Sequence, residues 1–250
     1  MKALVTGASS GIGRDIAKYL SSLGYDLVVV ARRKDKLEEL KVELKTNVRI
    51  IELDLSVSDN CFLLYEQTKK EDIDVLINNA GFGVFGRFVD TNLEKEIDLI
   101  NLNIKALHIL TKLYVRDMAK KDKGYILNVS SVAGMMPGPL MACYYASKAY
   151  VLRLTGGISA ELKKAKSNVS ISALCPGPVK TEFNDVANVK FATKSLTSQY
   201  VAKYAVDKML KKKEVIIPGV GNKLLQILAK VIPNRIIVKF VYKIQTKKYK

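Results

Sequence analysis

Histidine is nearly missing from this chain: His108 stands alone among 250 residues. Cysteine is scarce too. Cys61, Cys143 and Cys175 lie far apart, and no C-x-x-C pair occurs. One imidazole and three scattered thiols do not assemble a zinc site, and an odd number of distant cysteines does not make a disulfide framework. The simplest expectation is three reduced thiols in a reducing, cytoplasmic setting, with no metal. No uninterrupted run of 18 apolar residues is present, so no spanning helix is expected. The opening MKALVTGASSGIG turns glycine-rich too early to hold the apolar segment of a signal peptide. Internal repeats, low-complexity tracts and linkers are also missing.

Acid is the last shortage. The chain has 24 Asp+Glu against 41 Lys+Arg, a net charge of +17. That surplus favours anionic partners: phosphate-bearing cofactors, acyl carriers, anionic lipid or nucleic acid. No nucleic-acid motif accompanies it, so nucleic acid is not an expected partner. After Glu214 there is no acid at all, yet there are eight Lys/Arg among many aliphatics.

What is present is a rhythm. Short apolar runs at 3–6, 27–30, 48–53, 74–78, 125–130, 169–175 and 214–218 alternate with longer amphipathic stretches. Runs rich in Val, Ile and Leu without polar alternation suit parallel strands buried on both faces. Seven strands separated by helices predict an α/β fold with a Rossmann-type doubly wound, seven-stranded parallel sheet and helices on both faces. The stretch 178–200 breaks the rhythm. Residues 184–200 look like an insertion over a substrate site, within a domain spanning 1–218. Gly156 and Gly157 interrupt the helical pattern begun near Tyr144, and a subunit contact there is the expectation. Residues 219–250 form a basic apolar extension packed on the same domain. There Leu224, Leu225, Leu228 and Ile232 recur at helical spacing, as in a helix covering the pocket or one docking on anionic membrane.

The first strand ends in TGASSGIG (6–13) and a helix follows. Glycines at such a turn let the backbone approach a pyrophosphate, and the helix start offers free N–H groups and a positive dipole end. The second strand ends in Ala31-Arg32-Arg33, with no acid until Asp35. An NAD site places a carboxylate here for the ribose 2′-hydroxyl; guanidinium groups instead suit a 2′-phosphate. NADP(H) is the expected cofactor.

CYYASK (143–148) sets two tyrosines near a lysine. A phenol can protonate a carbonyl oxygen as hydride arrives, and a nearby ammonium stabilises its phenolate. Tyr144 is four residues and Tyr145 three from Lys148, so helix spacing alone leaves both in reach.

These motifs together resemble the short-chain dehydrogenase/reductase family, in its shorter single-domain branch. The resemblance rests on the glycine turn, Asp54-Leu55, Asn78-Asn79-Ala80-Gly81, Asn103, Ser131, Tyr144-x-x-x-Lys148 and Pro176-Gly177, in family order over residues 2–218. It implies a catalytic set of Asn103, Ser131, Tyr144 and Lys148. Ser131 is preferred to Ser130 because it directly precedes Val132-Ala133-Gly134; Asn101 ranks behind Asn103. Tyr144 would be acid in reduction and base in oxidation. Lys148 would lower its pKa and bind the nicotinamide ribose, Ser131 would polarise the carbonyl, and Asn103 would support a proton relay. The resemblance further implies cofactor contacts from Gly7, Ser9, Ser10, Gly11, Ile12 and Gly13, from Asp54 and Leu55 beside the adenine, and from Asn79, Ala80 and Gly81. Pro176, Gly177, Val179 and Thr181 would lie near the nicotinamide. By position, Phe82, Met135, Leu140, Cys143 and Pro178 join Ser131 and Tyr144 around an apolar carbonyl or alcohol substrate. His108 reads as a packed or surface helix residue. A homodimer or homotetramer, peripheral membrane contact through 219–250, and a non-catalytic NADPH-binding or membrane-docking protein as the alternative function complete the expectations.

Overall fold

The computed structural model describes residues 1–183 and 195–246. Seven strands form one parallel sheet: β1 (Lys2–Thr6), β2 (Asp26–Ala31), β3 (Val48–Glu52), β4 (Val75–Asn78), β5 (Tyr125–Val129), β6 (Ser170–Leu174) and β9 (Val215–Ile216). Their order is β3-β2-β1-β4-β5-β6-β9, with every pairing parallel. The uninterrupted apolar runs have the predicted cause, since β2 buries Leu27 to Val30 and β6 buries its whole length. A second sheet, absent from the sequence-based expectation, pairs β7 (Val179–Lys180) with β8 (Leu196–Thr197).

Two apolar cores clothe the sheet. On one face, α1 (Gly11–Ser22) and α2 (Lys34–Glu43) pack with α7 (Ser198–Leu210) through Ile16, Leu20, Leu37, Leu40, Val201 and Met209. On the other, α3 (Ser58–Thr68), α5 (Leu107–Lys121) and α6 (Ala142–Lys164) pack through Leu64, Leu110, Tyr114, Ile158 and Leu162. Between β1 and β4 the chain changes direction along the sheet. That switch point opens a crevice at the carboxyl ends of the strands, where ligands bind in such sheets.

Three local features differ from expectation. Helix α6 runs unbroken through Gly156 and Gly157, because Val151, Thr155 and Ser159 bury its inner face and outweigh the roughly 1 kcal/mol each glycine costs a helix. Helix α4 (Leu93–Ile100) continues into α5 through a π-helical turn, Asn101–Ala106. Beyond β9 the tail forms two helices, α8 (Val220–Val231) and α9 (Asn234–Thr246), broken by Ile232 and Pro233; Ile232 therefore leaves the helical face it was assigned to. Most of the expected insertion, 184–194, lies outside the described residues. Of its remainder, Leu196 and Thr197 form β8 and α7 starts at Ser198.

Candidate active site

A cavity of about 460 Å³ occupies the switch point. Its floor is the glycine turn. Gly7 and Gly11 hold left-handed backbone, with φ of +63° and +54°. A Cβ on Gly13 would lie 2.3 Å from Asn79 Nδ2 and 2.4 Å from the Gly7 carbonyl oxygen, so no side chain fits there. Thr6 ties the turn to β4: its Oγ1 donates to the Ile77 carbonyl at 3.2 Å and accepts from the Asn79 and Ala80 N–H groups. Asn79 Nδ2 completes the knot on the carbonyls of Thr6 and Gly7. Ser10 precedes helix α1 and its side chain makes no capping bond, so it leaves the first-turn N–H groups unclaimed. This cradle, with its free donors and excluded side chains, fits a pyrophosphate.

Arg32 and Arg33 stand on the wall above it. The fold gives them acidic neighbours that lie far away in sequence. Arg32 is 3.6 Å from Asp54, and Arg33 bonds Ser9 Oγ at 3.1 Å and Glu182 at 2.8 Å. Hydrogen bonds and charge from Arg33 pull the Glu182 carboxyl below its ordinary range.

At the far end, Ser131, Tyr144 and Lys148 converge. Strand β5 runs into Ser130 and Ser131, and a tight 3-10 turn (Val132–Met135) follows. That turn lies so close to α6 that a Cβ on Gly134 would sit 2.5 Å from the Lys148 carbonyl oxygen. The two serines separate here: Ser130 Oγ donates to the Lys148 carbonyl at 2.7 Å, whereas Ser131 Oγ donates to the Pro176 carbonyl at 3.3 Å and accepts from the Ala133 N–H, on the cavity wall with Tyr144. The tyrosines separate likewise. Tyr144 lines the cavity with its ring 5.3 Å from that of Phe183, while the Tyr145 hydroxyl accepts from Gln245 at 2.9 Å. Lys148 is buried, donates to the Val129 carbonyl at 2.9 Å and lies 5.7 Å from the centre of the Tyr144 ring.

Electrostatically the site differs from expectation. Burial pushes the Tyr144 phenol above its ordinary value, and the group pulling it down is Ser131, not Lys148. Burial also lowers Lys148 to about 8, since little counter-charge repays its desolvation.

The wall includes Gly7, Ser9, Ser10, Gly11, Ile12, Arg32, Arg33, Asp54, Leu55, Asn79, Ala80, Gly81, Phe82, Pro176, Gly177, Pro178, Val179 and Thr181. Five expected residues stand elsewhere. Gly13 is buried behind the turn, against Gly7 and Asn79. Met135 packs against Ala173, Cys175 and Ile217. Leu140 is buried in left-handed backbone and its carbonyl accepts from the Gly86 N–H. The Cys143 thiol turns to the Glu96 carbonyl on α4. These three were placed by position near the tyrosines, but the 3-10 turn, the left-handed Leu140 and the rotation of α6 carry them off the cavity face. Asn103, buried in the π-helical turn, spends its amide on both Phe82 backbone groups and on Ser147 Oγ. It therefore reaches the cavity only by positioning Phe82 and Gly81. His108 bonds Tyr150 on the neighbouring helix, as its plain reading expects. Sequence reasoning passed over Met141, Glu182, Phe183 and Gln245, all on the wall. Gln245 carried a signal, because it shares a helical face with Ile237 and Val241 in an otherwise basic tail.

Comparison with known proteins decides the family. The short chain dehydrogenase family model matches residues 1–192. The chain belongs to the short-chain dehydrogenase/reductase family of oxidoreductases. A 3-oxoacyl-acyl-carrier-protein reductase of Rickettsia prowazekii is 35% identical over 191 residues, 75% of this chain and 76% of that protein. A short-chain dehydrogenase from Sphingobium yanoikuyae, solved with NADPH, superposes with a TM-score of 0.82 at 29% identity, over 93% of this chain and 96% of that one. A bulky-bulky ketone specific alcohol dehydrogenase from Comamonas testosteroni gives a TM-score of 0.78 at 31% identity, over 93% and 94%.

Proposed function

We propose that this short-chain dehydrogenase/reductase interconverts a ketone and a secondary alcohol with NADP(H), with Tyr144 as general acid and base. One observation carries this: Ser131, Tyr144 and the buried Lys148 line the same cavity as the glycine cradle and Arg32–Arg33. Bound NADPH supplies the hydride to the carbonyl carbon. As charge develops on the oxygen, Tyr144 gives it the phenolic proton and Ser131 holds it by hydrogen bond. Burial keeps Tyr144 protonated at neutral pH, which suits a proton donor. Lys148 places positive charge beside the phenolate left behind. Met141, Phe82 and Phe183 on the wall suit an apolar ketone. The NADPH complex of the Sphingobium relative and the bulky ketones named for the Comamonas relative support this reading. The test is NADPH consumption with a panel of ketones. Tyr144→Phe is expected to cost at least a hundredfold in kcat, within the range removed with a positioned acid, while NADPH still binds; near-wild-type turnover would sink the mechanism.

A second property rests on the tail. Helix α8 leaves Val220, Leu224, Ile227, Leu228 and Val231 exposed, and α9 leaves Ile236, Phe240 and Ile244 exposed. Lys223, Arg235, Lys239 and Lys243 accompany them without any acid. Amphipathic helices of this composition suit peripheral contact with anionic membrane. None of the described helices is long and apolar enough to cross a membrane. As assembly we propose a homodimer or homotetramer contacting through α5 and α6. A Cβ on Gly157 would meet nothing within 4 Å, so that surface of α6 is open to a second copy. A monomer in light scattering would refute it.

A further inference from the structure

Gln245 has no part in the chemistry above, yet it is buried to 1% exposure. It sits on the inner face of α9 with Ile237 and Val241, and it lines the cavity beside Tyr145. Its Nε2 donates to the Tyr145 hydroxyl at 2.9 Å. Its Oε1 is buried and has no hydrogen-bond partner among the described residues. Leaving a buried amide oxygen unpaired is unfavourable, and a ligand group bonding to it removes that cost. The Tyr145 ring packs directly on Gly138, where a Cβ would approach within 2.2 Å. Around this pair the wall is apolar: Met141, Phe183 and the ring of Tyr144. The result is one rigid polar spot in an apolar end of the cavity, with no charged side chain among these five residues.

We propose that Gln245 and Tyr145 form a specificity subsite for an uncharged hydroxyl or amide carried on the apolar body of the substrate, away from the reacting carbonyl. The proposal rests on the ketone-reductase reading for where the substrate lies. A hydroxyl can donate to Oε1 and accept from the Tyr145 O–H, so it also satisfies the pair if the amide is turned over. A charged group would not be recognised there, because burying it among these residues without a counter-ion is costly. Helix α9 thus brings into the pocket a determinant that lies about a hundred residues from the tyrosines in sequence.

The test is calorimetric binding of matched ketones to the full-length protein saturated with NADP⁺, which cannot reduce them. The pairs are acetophenone with 4′-hydroxyacetophenone, and 4-phenylbutan-2-one with its para-hydroxyphenyl counterpart. They present the hydroxyl at two separations from the carbonyl. In at least one pair the hydroxylated ketone is expected to bind about tenfold tighter, as one well-made hydrogen bond allows. That ratio should collapse toward one in Gln245→Met and in Tyr145→Phe. The second variant keeps the ring against Gly138 and carries the test if the first does not fold. Equal binding within both pairs in the wild type, or a preference that survives both substitutions, overturns the subsite. The reductase reading fails separately, if NADPH is consumed with none of these ketones although the binding preference is present.

Discussion

The Lys148 ammonium donates to the main-chain carbonyl of Val129 at 2.9 Å, tying the second turn of α6 to the last residue of β5. This one bond holds a cation inside a crevice whose burial works against it, which is why Lys148 titrates at about 8. The site therefore carries a built-in sensitivity to alkali.

If the charge on Lys148 assists proton transfer, reduction depends on its protonated form. Tyr144, raised by burial, stays protonated beyond that range. The kcat/KM for ketone reduction should be flat near neutrality and fall about tenfold per pH unit above about 8, as the free enzyme loses this proton. A profile flat to pH 10 would rule Lys148 out as the titrating group.

The same shift makes a stability prediction. The folded pKa of about 8 lies below the ordinary 10.5, so between these values the unfolded chain binds more protons and stability rises with pH. Below about pH 8 the whole cost of burying the charge is present. Lys148→Met should therefore stabilise the fold at pH 7 by about 1–3 kcal/mol while abolishing reduction. Its advantage should shrink at pH 10. Denaturant unfolding at both pH values measures this, and a destabilised variant at pH 7 would contradict it.

Arg33 is shared between Ser9 and Glu182, so a 2′-phosphate must compete with a carboxylate for the guanidinium. Arg32→Ala with Arg33→Ala should raise the KM for NADPH by about tenfold or more with little change for NADH, as expected on losing charge-assisted bonds to a phosphate. Glu182→Gln should lower the KM for NADPH. Steady-state kinetics with both cofactors checks the pair. An unchanged NADPH KM in the arginine variant would end the NADP(H) assignment.

Membrane contact is tested by pelleting with vesicles of phosphatidylcholine alone or mixed with phosphatidylserine. The full chain should pellet with the anionic vesicles, and less so as salt rises. Ile227→Glu with Phe240→Glu, both on exposed positions, should release it without loss of fold. Equal recovery of wild type and variant would remove the membrane role.

The sheet, its seven strands and the glycine turn were legible because they depend on short-range rules. Buried parallel strands read as apolar runs, and a phosphate-binding turn demands glycine within a few residues of a helix start. Spacing alone left Tyr144 and Tyr145 equivalent toward Lys148, and Ser130 and Ser131 equivalent toward the crevice. The family resemblance chose Tyr144 and Ser131, and packing shows where their competitors go: Ser130 is committed to the Lys148 carbonyl and Tyr145 to Gln245. Neighbourhood in sequence misplaced Met135, Leu140 and Cys143, since successive residues of a turn or helix point in different directions. Glu182 against Arg33 and Gln245 against Tyr145 join segments that no local pattern relates. The sequence by itself determined the layered fold and the residue types available for hydride-transfer chemistry. The tertiary structure decided which of those side chains face the cavity and what their burial does to their protons, because both depend on long-range packing.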